Sequence, residues 1–308
     1  MSHNAAKPTG RFAPSPSGRM HMGNLWSCLL AWLSARSAGG RMVLRLEDLD
    51  PDRCRQEYCD QVMRDLEWLG LDWDGEPVYQ SKRTKAYAQA FRALEEQGLV
   101  YPCYCTRAER LAASAPHRSD GLSVYDGRCS RLTAAQRETL EKTRRPAWRA
   151  SVPEKTITFC DLLYGNYSED LKTDCGDFIV CRSDGVYAYQ LAVVVDDAAM
   201  GVTQVVRGSD LLSSTPRQLW LQEALGFQHP DYGHLPLLLS PEGRRLAKRD
   251  RDLELGELQR RYSAPELVGA LACAAGLIDR PEPISPQALI PLFSWERLPK
   301  EDLVWSLR

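Results

Sequence analysis

Arg11-Phe12-Ala13-Pro14-Ser15-Pro16-Ser17-Gly18-Arg19-Met20-His21-Met22-Gly23-Asn24 stands near the amino terminus of this 308-residue chain. Pro14, Pro16 and Gly18 forbid a continuous helix or central strand there. After Gly23 the pattern changes. Leu25, Trp26, Cys28, Leu29, Leu30, Trp32 and Leu33 are too crowded for a surface helix, which predicts a largely buried one ended by Gly39-Gly40. The loop therefore delivers His21 and Gly23 to a helix N-terminus, whose unpaired N–H groups and partial positive charge suit phosphate. Gly23 leaves room for a nucleotide near the backbone, and His21 can donate to a phosphate oxygen as charge builds. Far downstream, Arg244-Arg245-Leu246-Ala247-Lys248-Arg249 forms a basic loop. Such a loop can neutralise phosphate charge. The two segments together predict a grip on both ends of ATP, with Mg²⁺ accompanying it.

Outward from this pairing the chain reads as α/β. Arg41-Met42-Val43-Leu44-Arg45-Leu46-Glu47-Asp48-Leu49-Asp50 predicts a strand with an acidic C-terminal end, the end that faces ligand in open parallel sheets. Helical patterns cover 56–69 and 84–97, the latter closed by Gly98, and a third runs over 216–225, closed by Gly226. Thr106-x-x-Glu109 and Thr133-x-x-Gln136 read as capping boxes. The continuous apolar run within 186–197 predicts a buried parallel strand. Alternation pauses between 103 and 185, which suggests an insertion splitting a doubly wound nucleotide-binding domain over 8–250. A short helical part, 251–308, follows.

The ten cysteines come without a signal peptide or a membrane-length apolar run. Reducing, cytoplasmic surroundings follow, where clustered cysteines suggest metal rather than disulfides. Cys103, Cys105 and Cys129 form such a cluster, and three thiolates favour zinc with a fourth ligand. Tyr125, His117, Asp120, Asp126 or water can supply it. Cys28, Cys54, Cys59, Cys160, Cys175, Cys181 and Cys273 are scattered and read as small core or surface residues. The net charge of −2 neither demands nor excludes a nucleic-acid partner, because local charge decides. Arg144, Arg145 and Arg149 form one basic cluster, and Arg244 to Arg251 another.

His21-Met22-Gly23-Asn24 resembles the first signature of class I aminoacyl-tRNA synthetases, departing from it at Asn24. Arg245-Leu246-Ala247-Lys248-Arg249 is similar to a degraded second signature that keeps the charge and loses the serine hydroxyl. The stretch Arg11 to Gly18 and the segment 186–210 resemble the glutamate-activating members. This resemblance implies a Rossmann catalytic domain that makes glutamyl-adenylate. His21, Gly23, Asn24 and Lys248 would hold ATP. Arg11, Phe12, Ala13, Pro14, Ser15, Glu47, Tyr189 and Arg207 would hold glutamate, with Glu47 on the ammonium. Cys-x-Cys followed by Tyr-x-x-x-Cys resembles the glutamyl-queuosine synthetase family and implies structural zinc on Cys103, Cys105, Tyr125 and Cys129. After Asp250 only 58 residues follow, too few for a typical anticodon-binding domain of ~100 residues or more. That absence also fits the glutamyl-queuosine family, whose acceptor is queuosine in tRNA(Asp). The expectation is a monomeric cytoplasmic ligase. Its rivals are a compact enzyme acting on a tRNA 3′ end, a noncatalytic paralogue, and another nucleotidyltransferase of the same superfamily.

Overall fold

A computed structural model describes residues 7–106, 115–116, 123–244 and 254–305. In chain order the first strands are β1 (Thr9–Phe12), β2 (Arg41–Leu46), β3 (Val78–Tyr79) and β4 (Val100–Cys103). Next come β5 (Ala115–Pro116), β6 (Ser123–Val124), β7 (Ala147–Ala150), β8 (Thr156–Asp161), β9 (Gly165–Asp170) and β10 (Phe178–Cys181). The last are β11 (Gln204–Gly208), β12 (Asp231–Leu235), β13 (Leu238–Leu239) and β14 (Leu303–Val304).

Two parallel blocks make the nucleotide-binding layer. One has the order β1-β2-β3, and the other β11-β12-β8-β9, in which only β9 runs antiparallel to its neighbour. They meet where β1 lies beside the start of β11. Thr203 N–H donates to Thr9 O at 3.0 Å, and Thr9 N–H donates to Thr203 Oγ1 at 2.9 Å. The connections diverge from this seam, and a ligand crevice opens at such a switch point, outside the carboxyl ends of the strands. Arg11 and Phe12 end β1, and Arg207 and Gly208 end β11, so both strands deliver residues to the same crevice.

Helix α1 (Met22–Ser37) packs against β1 and β11. Leu25, Trp26, Leu29, Leu30, Trp32 and Leu33 are buried, as the crowded apolar pattern predicts. The expected helices at 56–69 and 84–97 are α2 (Gln56–Trp68) and α3 (Thr84–Glu96). Gly98 takes a φ of +69°, the left-handed conformation that ends a helix most cheaply with glycine. The Thr133 capping box opens α4 (Ala134–Glu141), with Thr133 Oγ1 accepting from Gln136 N–H at 3.3 Å. The other expected box reaches Glu109, outside the described residues. Strands β4, β7 and β10 form a separate antiparallel sheet in the order β10-β7-β4.

The reading of 186–197 as a strand is wrong. Residues Tyr189–Ala199 form helix α5. Leu191 to Asp197 are all buried, because α5 is packed against α3, β10 and the helix Thr215–Leu225, α6. A helix covered on every side shows a continuous apolar run with no 3.6-residue stripe, and periodicity alone cannot separate it from a buried strand. The helical spacing has a consequence for the site. Tyr189 opens the helix, and Asp196 and Asp197 follow at i+7 and i+8, so all three share one face.

Candidate active site

A cavity of about 480 Å³ lies at the seam. Its walls include Arg11, Phe12, Ala13, Pro14, Ser15, His21, Gly23, Asn24, Glu47, Tyr189 and Arg207. Every residue expected to hold glutamate therefore lines one cavity, together with three of the four expected to hold ATP. The fourth, Lys248, lies outside the described residues. The chain on either side of 245–253 is placed. Ser240 N–H donates to Arg244 O at 2.7 Å, while Leu255 N–H donates to Met20 O at 2.8 Å and Glu254 bridges His21.

The His21 end is built by helix capping. His21 is the N-cap of α1, and its Nδ1 accepts from Gly23 N–H at 3.1 Å. Asn24 Oδ1 returns the bond by accepting from His21 N–H at 3.0 Å. This reciprocal pair satisfies two helix-end donors and gives Asn24, the departure from the family signature, a structural task. With Nδ1 accepting, a neutral ring carries its proton on Nε2, the tautomer that can donate to an anion. Gly23 makes room for the ring: a Cβ there would lie 3.1 Å from His21 Cε1 and 3.2 Å from Nδ1. Gly18, at φ +138°, turns the preceding loop through a conformation other residues rarely adopt.

Buried ion pairs stand behind Glu47, which lines the cavity. Arg45 projects from near the C-terminal end of β2 and is fully buried. Its Nη1 donates to Asp197 at 2.5 Å, its Nη2 to Glu47 at 3.2 Å, and its Nε lies 4.0 Å from Asp196. Burial alone would lower the Arg45 pKa, but Asp197 and then Glu47 outweigh it and hold the guanidinium firmly charged. Burial pushes the Glu47 carboxyl above its ordinary value, opposed by Arg45 and Arg11. Asp196 also accepts from Arg83 Nε at 2.5 Å, and from Gln80 Nε2 and Tyr87 Oη at 2.8 Å each. Glu47 is thus braced from behind. Its backbone N–H also donates to Pro14 O at 3.0 Å, tying the acidic end of β2 to the loop after β1.

Two guanidiniums face the cavity from adjacent strands. Arg11 Nη1 donates to Val206 O at 2.9 Å, and Asp197 stands 4.0 Å from its Nε. That Nε is buried without a hydrogen-bond partner among the described residues. Burial lowers the Arg11 pKa; Asp197 opposes this, while Arg45 and Arg207 add to it. Arg207 is 4 % exposed and densely held. Its Nε donates to His234 Nε2 at 3.1 Å, Nη1 to Gln218 Oε1 at 2.8 Å, and Nη2 to Thr215 Oγ1 at 2.7 Å and Leu211 O at 3.3 Å. Two buried cations that repel each other, one with an orphaned donor, form a receptor for an anionic group. Tyr189, 36 % exposed, opens onto the same space.

The cysteine cluster lies apart from this cavity. The sulfurs of Cys103, Cys105 and Cys129 are all within 4.8 Å of one another. A tetrahedral zinc with bonds of about 2.3 Å needs sulfurs roughly 3.8 Å apart, which these can reach with small shifts. Tyr125 Oη lies 3.6 Å from Cys103 Sγ and 3.3 Å from Cys105 Sγ, and accepts from Cys129 N–H at 3.1 Å. His117 and Asp120 lie outside the described residues. Arg149 is buried and turned toward this cluster. It donates from Nε to Cys103 Sγ at 3.3 Å and stacks 3.8 Å from the Tyr125 ring centroid. The expected basic cluster 144–149 therefore loses one member to the interior. None of the ten cysteines forms a disulfide, and Cys28 lines the cavity.

Comparison with known proteins now separates families. The catalytic domain of class I tRNA synthetases (E and Q) matches residues 8–268. The chain belongs to this family. A relative from Symbiobacterium thermophilum, named glutamyl-Q tRNA(Asp) synthetase, is 50% identical over 305 residues, covering 95% of this chain and 94% of its own. A relative of the same name from Nitratidesulfovibrio vulgaris is also 50% identical, over 96% of this chain and 94% of its own. Among solved structures, a glutamate tRNA ligase from Elizabethkingia meningosepticum, in complex with its amino acid, superposes with a TM-score of 0.81 at 26% identity. It is matched over 97% of this chain and 67% of its own.

Class I synthetases of this family use ATP and Mg²⁺. Several residues that build the site were not singled out in the sequence: Arg45, Asp196, Asp197 and His234. The usable signs were a charged residue inside an apolar strand at Arg45, and a histidine inside the run Tyr232 to Leu239. Among the described residues no helix is long and apolar enough to cross a membrane.

Proposed function

We propose that this chain activates L-glutamate with ATP and transfers the glutamyl group to queuosine of tRNA(Asp). The observation that carries the activation step is the joint placement of Arg11, Arg207 and Glu47 in one cavity rimmed by the His21 helix end. Glutamate brings two carboxylates and one ammonium. The paired guanidiniums take the side-chain carboxylate, because an α-carboxylate clamped there would be held away from ATP and weakened as a nucleophile. Glu47 takes the ammonium, and the Tyr189 ring closes the pocket beside it. The α-carboxylate is left facing the His21 and Gly23 rim.

An oxygen of that carboxylate attacks the α-phosphorus of MgATP. The bond from the α-phosphorus to the bridging oxygen breaks, and pyrophosphate leaves with the electron pair. His21 donates from Nε2 to a phosphate oxygen as charge builds, the α1 N-terminus adds its dipole, and Lys248 neutralises the leaving group. Much of the acceleration is positioning. In the second step a hydroxyl of the queuosine cyclopentenediol attacks the acyl carbonyl, loses its proton, and displaces AMP. The queuosine acceptor rests on what the curated relatives' names say of those proteins.

Residues 8–250 are the catalytic body in this reading and 251–308 a helical stem; of the span 103–185 expected as an insertion, β7 and β10 lie in the separate antiparallel sheet, while β8 and β9 join the layer of β11 and β12. Cys103, Cys105, Cys129 and Tyr125 would hold zinc, which stiffens the β4 to β7 region and takes no part in the chemistry. The reading takes the enzyme as a monomer, with the reaction in the cytoplasm where its substrates are. Glutamate-dependent pyrophosphate exchange, with and without tRNA, tests the activation step. Exchange with glutamate and not with glutamine or aspartate is expected. Exchange with none of them would leave a noncatalytic paralogue.

A further inference from the structure

Arg207 is held by a chain of buried polar groups running across three neighbouring strands. In the parallel register of β11 and β12, Arg207 stands directly beside His234. Tyr232 of β12 pairs with Asp161 of β8 in turn. Asp161 and His234 are at most 2 % exposed. Asp161 Oδ1 accepts from the N–H groups of Leu163 and Tyr164 at 2.9 Å each, and Oδ2 from His234 N–H at 3.1 Å. These fixed donors define an ionised carboxylate whose Oδ2 lies 2.6 Å from His234 Nδ1.

The tautomer follows. An ionised Asp161 can only accept, so Nδ1 carries the proton and Nε2 is left as an acceptor. Nε2 receives Arg207 Nε–H at 3.1 Å and lies 3.2 Å from Thr215 Oγ1, which itself accepts from Arg207 Nη2. An imidazolium could not accept either bond, and its charge would sit against the guanidinium. Burial lowers the His234 pKa to about 4, against the pull of Asp161, in keeping with a neutral ring.

Four of the five Arg207 N–H groups are engaged among the described residues, leaving one on Nη1. With so few donors remaining, the azimuth of the guanidinium decides whether an incoming carboxylate meets one. A neutral imidazole between Asp161 and Arg207 also keeps the aspartate from forming a direct ion pair, so the positive charge stays available to the cavity.

We propose that Asp161 and His234 are positioning residues for Arg207, fixing its orientation and preserving its charge so that the pocket selects an acidic over an amide side chain. This rests on the glutamate-activating reading and names the origin of its selectivity.

Two amides dissect the ring. His234→Asn places a side-chain amide near the former Nδ1, toward Asp161, and loses the acceptor for Arg207. His234→Gln places its carbonyl near the former Nε2 and keeps that acceptor. Asp161→Asn can reverse the tautomer by donating to Nδ1, setting Nε2–H against Arg207. The test is pyrophosphate exchange on the full chain with varied glutamate, glutamine and ATP, and Arg207→Lys as reference. His234→Asn and Asp161→Asn should raise KM for glutamate about ten- to a hundredfold with little change in kcat or in KM for ATP. Preference for glutamate over glutamine should narrow, and His234→Gln should recover much of the loss.

An unchanged glutamate KM in both asparagine variants, with Arg207→Lys defective, would overturn the positioning role and leave the glutamate site standing. An unaffected Arg207→Lys would instead overturn the site assignment. Because a buried variant can fail to fold, ¹⁵N NMR of histidine-labelled wild-type protein gives an independent answer. The Nδ1–H tautomer is expected for His234; the Nε2–H tautomer or an imidazolium at neutral pH would refute the relay.

Discussion

Glu47→Gln removes one charge at nearly constant shape, so its effect can be worked from the surroundings of Glu47. The side chain is 9% exposed, which leaves little solvent to screen it. Arg45 donates to it at 3.2 Å, and a glutamine carbonyl can still accept that bond. Arg45 also keeps Asp197 at 2.5 Å and Asp196 at 4.0 Å, so the fold should survive. What disappears is the anion opposite the substrate ammonium. A hydrogen bond to a charged group contributes roughly 1.5–3 kcal/mol and a neutral one about 0.5–1.5, a difference of about 1–2 kcal/mol. That corresponds to a loss of about five- to thirtyfold in kcat/KM for glutamate.

The assay is pyrophosphate exchange with glutarate as a competing ligand, since glutarate has both carboxylates and no ammonium. Wild type and variant should bind glutarate within about twofold of each other, so that the whole penalty appears as coupling between Glu47 and the ammonium. An equal loss for glutarate and glutamate would mean that Glu47 acts through Arg45 or Arg11, and the assignment would be wrong.

Four further outcomes are expected. Asp197→Ala leaves the fully buried Arg45 short of its nearest carboxylate and should cost about 3–5 kcal/mol, read as a lower urea midpoint at unchanged slope. Gly23→Ala forces a Cβ to 3.1 Å from the His21 ring, and should lower kcat at saturating glutamate about tenfold or more by moving the phosphate donor. The His234 pKa is depressed to about 4 from an ordinary 6.5. The unfolded chain therefore binds the extra proton between those values, and stability should fall as pH drops from 6.5 to 4, by up to about 3 kcal/mol; urea midpoints should lose this slope in His234→Gln. Purified protein should carry one zinc by elemental analysis, and Cys105→Ser should lower both zinc content and thermal stability more than the exchange rate.

Much of the site was legible because its recognition elements are local. The loop from Arg11 to Asn24 carries a turn and a cap and runs directly into a buried helix, and each has a cause in the sequence. The cysteine spacing marked the cluster, although Tyr125 came from resemblance and not from ligand chemistry. The helix α5 was misread because Val193-Val194-Val195 favours a strand by propensity, and burial on every side erased the helical stripe. The same error hid the shared face of Tyr189, Asp196 and Asp197. Asp161 and His234 escaped because they meet across strands far apart in sequence, with only the register of β8, β12 and β11 joining them.

The most direct test is ATP-dependent transfer of labelled glutamate to purified tRNA. Queuosine-bearing tRNA(Asp) should be labelled, while the same tRNA lacking queuosine and tRNA(Glu) should not. Labelling of tRNA(Glu), or of tRNA(Asp) irrespective of queuosine, would contradict the proposed acceptor.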